Sequence, residues 1–199
     1  YSFVLLQLGG KTKKMSTRKG ELVLLEDFLK EAIKKAEEEM KKRKSSGDAN
    51  SVALAAIKYS ILKVEENKNV VFSWQEAMNF EGDSGPYLQY AHARCSSILK
   101  KVENIKKSND SILTEKEIAL LRVLQEFSGI CENAVKNLRT HSIATYSFKL
   151  AKTFNNFYES CPVIQGDSFS EPRLKLVKAT KQILKNALNL LGIDALDKM

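Results

Sequence analysis

Gly85-Pro86-Tyr87-Leu88-Gln89-Tyr90-Ala91-His92-Ala93-Arg94 is the stretch on which the fold turns. Gly82-Asp83-Ser84 breaks the chain ahead of it, and Pro86 suits the first turn of a helix, where its missing N–H has no intrahelical partner to lose. On a wheel of 100° per residue, Leu88, Ala91, Cys95, Ile98 and Leu99 fall within about 120° of arc, the core stripe of an amphipathic helix. Tyr90 and Arg94 lie about 40° apart at the border of that stripe, and His92 reads as a helix-edge residue rather than a general base. Two tyrosine faces and a planar guanidinium on adjacent turns can stack unpaired RNA bases and grip their phosphates. From spacing alone, a packed Tyr87 beside an Arg94 that simply stacks on Tyr90 is the favoured reading.

Toward the carboxy terminus the period stays helical. Thr114-Glu115-Lys116-Glu117 has the form of a capping box, followed by Ile118, Leu121, Gln125, Ser128, Cys131, Val135 and Leu138 at spacings of three and four. Thr140 is the expected cap of a further helix from about residue 141, with Ile143, Tyr146, Leu150, Phe154 and Phe157 on its inner face and Tyr158 off the stripe. Residues 161–170, with Pro162, Gly166 and Asp167, read as a loop. Pro172 then begins a last helix with Leu174, Val177, Lys181, Leu184, Leu188 and Leu191 inward, which Gly192 ends.

Toward the amino terminus, Ser73-Trp74-Gln75-Glu76 is a second S-x-x-E pattern and predicts a short helix. Val52, Leu54, Ala55, Ile57, Tyr59 and Leu62 mark a strongly apolar helix after a loop at Ser45-Ser46-Gly47-Asp48. A first long helix is expected over about residues 26–43, its acidic residues early and Lys41, Lys42, Arg43 and Lys44 late, the order that opposes the helix dipole. Those lysines serve as a solvated face or as contacts to a nucleic-acid backbone. Ahead of it, two strand-like runs, residues 2–8 and 21–25, flank a segment with five positive and no negative charges between Lys11 and Lys19. Lys14, Ser16, Thr17, Arg18 and Lys19 on a glycine-bounded loop suit a polyphosphate whose charge grows as it departs.

Composition narrows the class. Hydrophobic residues make up 43% of 199 positions, enough for a sizeable core and against disorder. The net charge of +8 favours a polyanionic partner. Cys95, Cys131 and Cys161 are far apart and lack C-x-x-C spacing, which argues against a disulfide framework or zinc site and fits a reducing cytoplasm. With His92 and His141 the only histidines, no metal site is expected. No apolar run approaches the roughly 20 residues of a membrane helix, so no membrane partner is expected. Tyr1 opens on strand-like sequence with no initiator Met or leader, which suggests an upstream portion.

Lys14-Met15-Ser16-Thr17-Arg18-Lys19-Gly20 resembles the KMSK-type signature loop of class I aminoacyl-tRNA synthetases in its arginyl form, with Thr17 where the general pattern has a second lysine. Residues 85–94 resemble the Tyr-x-Gln-Tyr-Ala-x-Ala-Arg helix of the arginyl-tRNA synthetase anticodon-binding domain, residues 150–158 its Leu-Ala-x-x-Phe-x-x-Phe-Tyr helix, and Leu190-Leu191-Gly192-Ile193 through Met199 its closing pattern. The resemblance implies a mainly α fold: a helical-bundle anticodon-binding domain over residues 45–199, a connecting helix over 26–44, and a short β-hairpin remnant of the catalytic domain over 1–25. It implies a parent arginine–tRNA ligase that uses ATP and Mg2+ to form arginyl-adenylate and charges tRNA(Arg). Lys14, Met15 and Ser16 would meet the nucleotide, with Thr17, Arg18 and Lys19 sharing the pyrophosphate charge. Tyr87, Tyr90, Arg94, Tyr158 and Met199 would meet the anticodon. Without the upstream catalytic domain the fragment should neither aminoacylate nor hold ATP stably. A free-standing helical RNA-binding module, or a protein-interaction bundle with incidental charge, is the alternative.

Overall fold

The computed structural model describes residues 4–8, 11–13, 24–102, 105–108 and 113–199. Strand β1 (Val4–Leu8) pairs antiparallel with β2 (Lys11–Lys13) and parallel with β3 (Val70–Phe72), in the order β2-β1-β3. The hairpin therefore closes against residues 11–13, putting Lys11 and Lys13 at strand positions instead of on the signature loop, while Leu25 opens a helix instead of ending a strand. Residues 14–23 lie outside the described residues.

Helix α1 (Leu25–Lys42) carries Glu26 and Asp27 in its first turn and Lys41 and Lys42 in its last, as expected. It buries Ala32, Ala36 and Met40, one residue per turn, against α2 (Ala49–Leu62). Asp48 caps α2 by accepting from the Asn50 and Ser51 amides at 3.3 and 2.9 Å. Because α2 is apolar around most of its circumference, it serves two cores: Val52, Ala53 and Ala56 join the cluster of α1 and Phe72, while Ala55 and Tyr59 join the larger cluster of the following helices.

The short α3 (Trp74–Ala77) forms where expected, but the Ser73 side chain makes no cap bond, so no capping box closes there. Packing holds this single turn instead, with Trp74 stacked on Phe28 at 4.7 Å and edge-on to Phe72 at 4.8 Å. Helix α4 (Gly85–Lys101) begins at Ser84, which accepts from the Tyr87 amide, and places Gly85 against α2 so tightly that an added Cβ would stand 2.2 Å from the Ala55 carbonyl oxygen. Leu88, Ala91, Cys95 and Ile98 are core, as the wheel predicts. Gln89, His92 and Ser96 are also buried, so His92 is an interior residue and not a helix-edge one.

Strand β4 (Lys106–Ser108) leads to α5 (Glu115–Gln125), where the Thr114–Glu117 capping box closes with both bonds. After a tightened turn at Glu126, whose amide bonds to the Val123 carbonyl three residues back, α6 runs over Phe127–Asn137. The apolar stripe expected across this region is the outer face: Val135 and Leu138 are 75% and 84% exposed, whereas Leu120, Val123 and Leu124 fill the core. Helix α7 (Thr140–Ser160) starts one residue early, with Thr140 inside it, and buries all five predicted core residues. Residues 161–170 are not a plain loop. They form a hairpin of β5 (Ile164–Gln165) and β6 (Ser168–Ser170), and β6 pairs parallel with β4. Helix α8 (Glu171–Leu190) ends at Gly192, whose φ of +66° is cheap only for glycine. Its inward Lys181 pairs with Asp197 at 2.7 Å. The chain is thus mainly α-helical, and among the described residues no helix is long and apolar enough to cross a membrane.

Candidate functional site

Arg94 anchors a ring-and-guanidinium stack at the surface between α4 and α7. Its guanidinium carbon lies 4.7 Å from the centroid of Tyr90, one turn earlier on α4, and 5.2 Å from that of Tyr158 on α7. Both tyrosines are 38% exposed. The guanidinium is also hydrogen-bonded: one terminal nitrogen donates to Asn155 Oδ1 at 2.8 Å and the other to the Tyr90 hydroxyl at 3.1 Å. A planar cation held between two rings presents stacking surface at little ordering cost when a flat partner arrives.

Asn155 fixes this arrangement from behind. While its carbonyl accepts from Arg94, its amide donates to the Tyr87 hydroxyl at 2.7 Å. Tyr87 itself is only 8% exposed and packs on Phe148 at 5.6 Å. It acts as an interior prop and offers no face to a base. Periodicity gave no hint of Asn155, because its partners lie 61 and 68 residues away in sequence.

Beside the stack opens a cavity of about 460 Å³, lined by Arg43, Phe80, Glu81, Tyr90, Arg94 and Met199. Arg43, at the end of α1, lies over the Phe80 ring at 5.1 Å and bonds Glu81 at 3.1 Å. The cavity is therefore lined by Arg43 and Arg94 together, and Met199 is half-buried along its wall. In sequence Arg43 stood out only as one of a run of basic residues, and Phe80 carried no signal. Arg43 also borders a second, more open trough of about 630 Å³ along α1 that reaches Trp74, where Glu38 and Glu39 offset Lys35 and Lys42.

The turn that aims α4 is set by a buried phenol. Tyr59 donates to the Asp83 carboxylate at 2.5 Å with the Ala144 carbonyl 3.2 Å away, and Lys63 pairs with the same carboxylate at 3.2 Å. Burial, helped by the Asp83 charge, pushes the Tyr59 hydroxyl far above its usual range and keeps it a donor. Burial also pushes the His92 imidazole below its ordinary range, leaving it neutral with Nδ1 directed at the Leu196 carbonyl at 2.8 Å.

Of the residues singled out in sequence, Tyr90, Arg94, Tyr158 and Met199 come together at one surface. Lys14, Met15, Ser16, Thr17, Arg18 and Lys19 lie outside the described residues. Among the described residues no group of three or more His, Cys, Asp or Glu side chains is placed to hold a metal, and all three cysteines are unpaired.

Comparison with known proteins bears directly on this surface. The family model of the DALR anticodon binding domain matches residues 88–199, and that of the class I (R) tRNA synthetase catalytic domain matches residues 2–74. The arginine–tRNA ligase of Methanocaldococcus jannaschii is 40% identical over 207 aligned residues, covering 100% of this chain and 36% of that protein. The arginine–tRNA ligase of Pyrococcus furiosus is 41% identical over 206, covering 94% and 33%. Among solved structures, Thermus thermophilus arginyl-tRNA synthetase superposes with a TM-score of 0.86 at 34% identity over 100% of this chain and 35% of that one. The Plasmodium falciparum arginyl-tRNA synthetase does so at 0.76 and 29%, over 89% and 34%. The chain spans about a third of the length of the relatives it matches.

Proposed function

We propose, for a chain that belongs to the DALR anticodon binding domain family and matches the carboxy-terminal part of arginyl-tRNA synthetases, that its α4–α7 surface reads the anticodon of tRNA(Arg) for a parent arginine–tRNA ligase in the cytoplasm. The observation that carries this reading is the Arg94 guanidinium held between Tyr90 and Tyr158 at the mouth of the cavity that Met199 lines. Unpaired anticodon bases have two flat faces and polar edges. A preset aromatic–guanidinium stack takes the faces, and Arg43 and Arg94 take nearby phosphate or base acceptors.

The domain layout we propose follows the same logic. Residues 1–25 are the end of the catalytic domain with its signature loop, residues 26–44 connect, and residues 45–199 hold the RNA. In the parent, ATP supplies the adenylyl group, and the donor set of Lys14, Ser16, Thr17, Arg18 and Lys19 fits its polyphosphate, with Mg2+ sharing the charge. Lys14, Met15 and Ser16 would hold the nucleotide. Arginine chemistry itself needs the remaining catalytic domain as a partner, and this chain alone should not carry it out.

The test is titration of the chain with tRNA(Arg), and with a tRNA(Arg) whose anticodon has been replaced, at several salt concentrations. Each stacked base contributes about 1–3 kcal/mol, so Arg94→Ala should weaken binding of the first RNA about 5- to 150-fold and erase the preference for it. Affinity should also fall steeply with salt. Equal affinity for both RNAs by the unaltered chain would overturn the reading.

A further inference from the structure

We infer that Gln89, His92 and Ser96 are positioning residues that latch residues 194–197 onto α4 and thereby set Met199 beside Tyr90 and Arg94. The RNA arm of this inference rests on the proposed anticodon reading, whereas the latch itself does not. The three side chains sit at i, i+3 and i+7 of α4, one row along one face, and are 0%, 1% and 1% exposed. Each has a partner in the carboxy-terminal segment, while Gln89 also reaches the Ser51 carbonyl at 3.3 Å and Ser96 the His92 carbonyl at 3.2 Å. Gln89 Nε2 donates to the Asp194 carbonyl at 2.9 Å, His92 Nδ1 bonds the Leu196 carbonyl at 2.8 Å, and Ser96 Oγ donates to the Asp197 carboxylate at 2.6 Å. The carbonyls of residues 194 and 196 thus both serve as acceptors for the row.

The segment is pinned from other helices as well. Lys58 on α2 donates to the Gly192 carbonyl, Ser51 on α2 to Asp194 at 3.1 Å, and Lys181 on α8 pairs with Asp197 at 2.7 Å. Ile193 is buried in the main core, and Leu196 and Met199 pack against the smaller one. Polar side chains in a dry helix face are costly unless bonded, and this row is bonded only in part. Gln89 Oε1 and His92 Nε2 have no partner among the described residues. An apolar side chain of similar volume would fill the same space with no unpaired atom. What glutamine and histidine add there is a donor for a backbone carbonyl of the strap.

The experiment compares the unaltered chain with His92→Leu, which removes the donor, and His92→Asn, whose amide can replace Nδ1. Amide hydrogen exchange read residue by residue should show His92→Leu accelerating exchange at residues 194–199 about two- to tenfold. Exchange in α7 should be unchanged, and His92→Asn should restore most of the protection. The Met199 methyl NMR signal should move toward its free-peptide position in the leucine variant alone. Affinity for an anticodon stem-loop of tRNA(Arg) should fall by the same two- to tenfold and recover with asparagine. Unchanged exchange at 194–199, an increase spread evenly over α7, or a freed strap with unaltered RNA affinity would each overturn the inference. If the unaltered chain binds no stem-loop at all, the anticodon reading fails, and the exchange and methyl signals still decide the latch.

Discussion

Tyr90 and Arg94 leave α4 on the side that meets water and α7, whereas Gln89, His92 and Ser96 leave it on the side covered by residues 194–197. The first set bonds to side chains, and Tyr90 stays partly exposed. The second bonds largely to backbone carbonyls and is dry. One helix thus carries a surface that can change partners and a surface that cannot. Substitutions on the outer strip should alter what is bound with little effect on folding, whereas substitutions on the inner strip should loosen the packing and reach binding only through the carboxy-terminal segment.

The strongest strain on that contrast comes from Gly85→Ala at the start of the inner side. Its new Cβ would stand 2.2 Å from the Ala55 carbonyl oxygen, so α2 and α4 must part. We expect a loss of about 1–3 kcal/mol, read as a lower urea midpoint with an unchanged slope. An unchanged midpoint would show that the helices give way freely there. A smaller effect is expected for Asn155→Ala, which leaves Arg94 stacked but no longer oriented. RNA affinity should fall about five- to tenfold, roughly 1 kcal/mol, and less than for Arg94→Ala. A loss equal to that of Arg94→Ala would mean that orientation, and not the guanidinium itself, is what the RNA feels.

The smallest effect concerns pH. Because burial lowers the His92 pKa in the folded chain, the unfolded chain takes up a proton below its ordinary value of 6.5 that the folded chain resists. Stability should therefore decline as pH falls below about 6.5 and level off above it, and His92→Asn should flatten that window in urea titrations at each pH. Asp197, held down to about 2 by Lys181 first and Ser96 second, acts in a separate range. Its contribution is present above its ordinary 3.8 and is lost as pH falls toward 2. A slope that survives His92→Asn would assign the window to another group.

Local signals in the sequence survived folding where nothing distant competed with them. The Thr114–Glu117 box closes within four residues, and the α7 stripe is buried as spaced, because a long helix repeats its phase over five turns. The stripe from Ile118 to Leu138 failed because its spacing marks the solvent side: Ile118 and Leu121 are exposed before the turn at Glu126, and Val135 and Leu138 after it, while Leu120, Val123 and Leu124 pack inward. Strand β3 escaped notice because three residues paired to a strand far earlier in the chain leave no periodic trace. The site shows the same division. Tyr90, Arg94 and Tyr158 were legible as exposed stacking groups on two helices. Asn155 and the interior role of His92 were not, since their bonds reach 61 and 104 residues along the chain.

Helix α2 gives residues to both hydrophobic clusters, Val52, Ala53 and Ala56 to one and Ala55 and Tyr59 to the other. Any attempt to transplant the anticodon-reading half onto a different body must therefore decide which half keeps this shared wall. A cut just before Asp48 bares the α1 face of the wall, and a cut just after Leu62 strips Tyr59 from beneath α7. Chimeras joined at either seam would need new apolar cover on the side left open, so the junction is better moved upstream of α1, where a whole helix pair travels together.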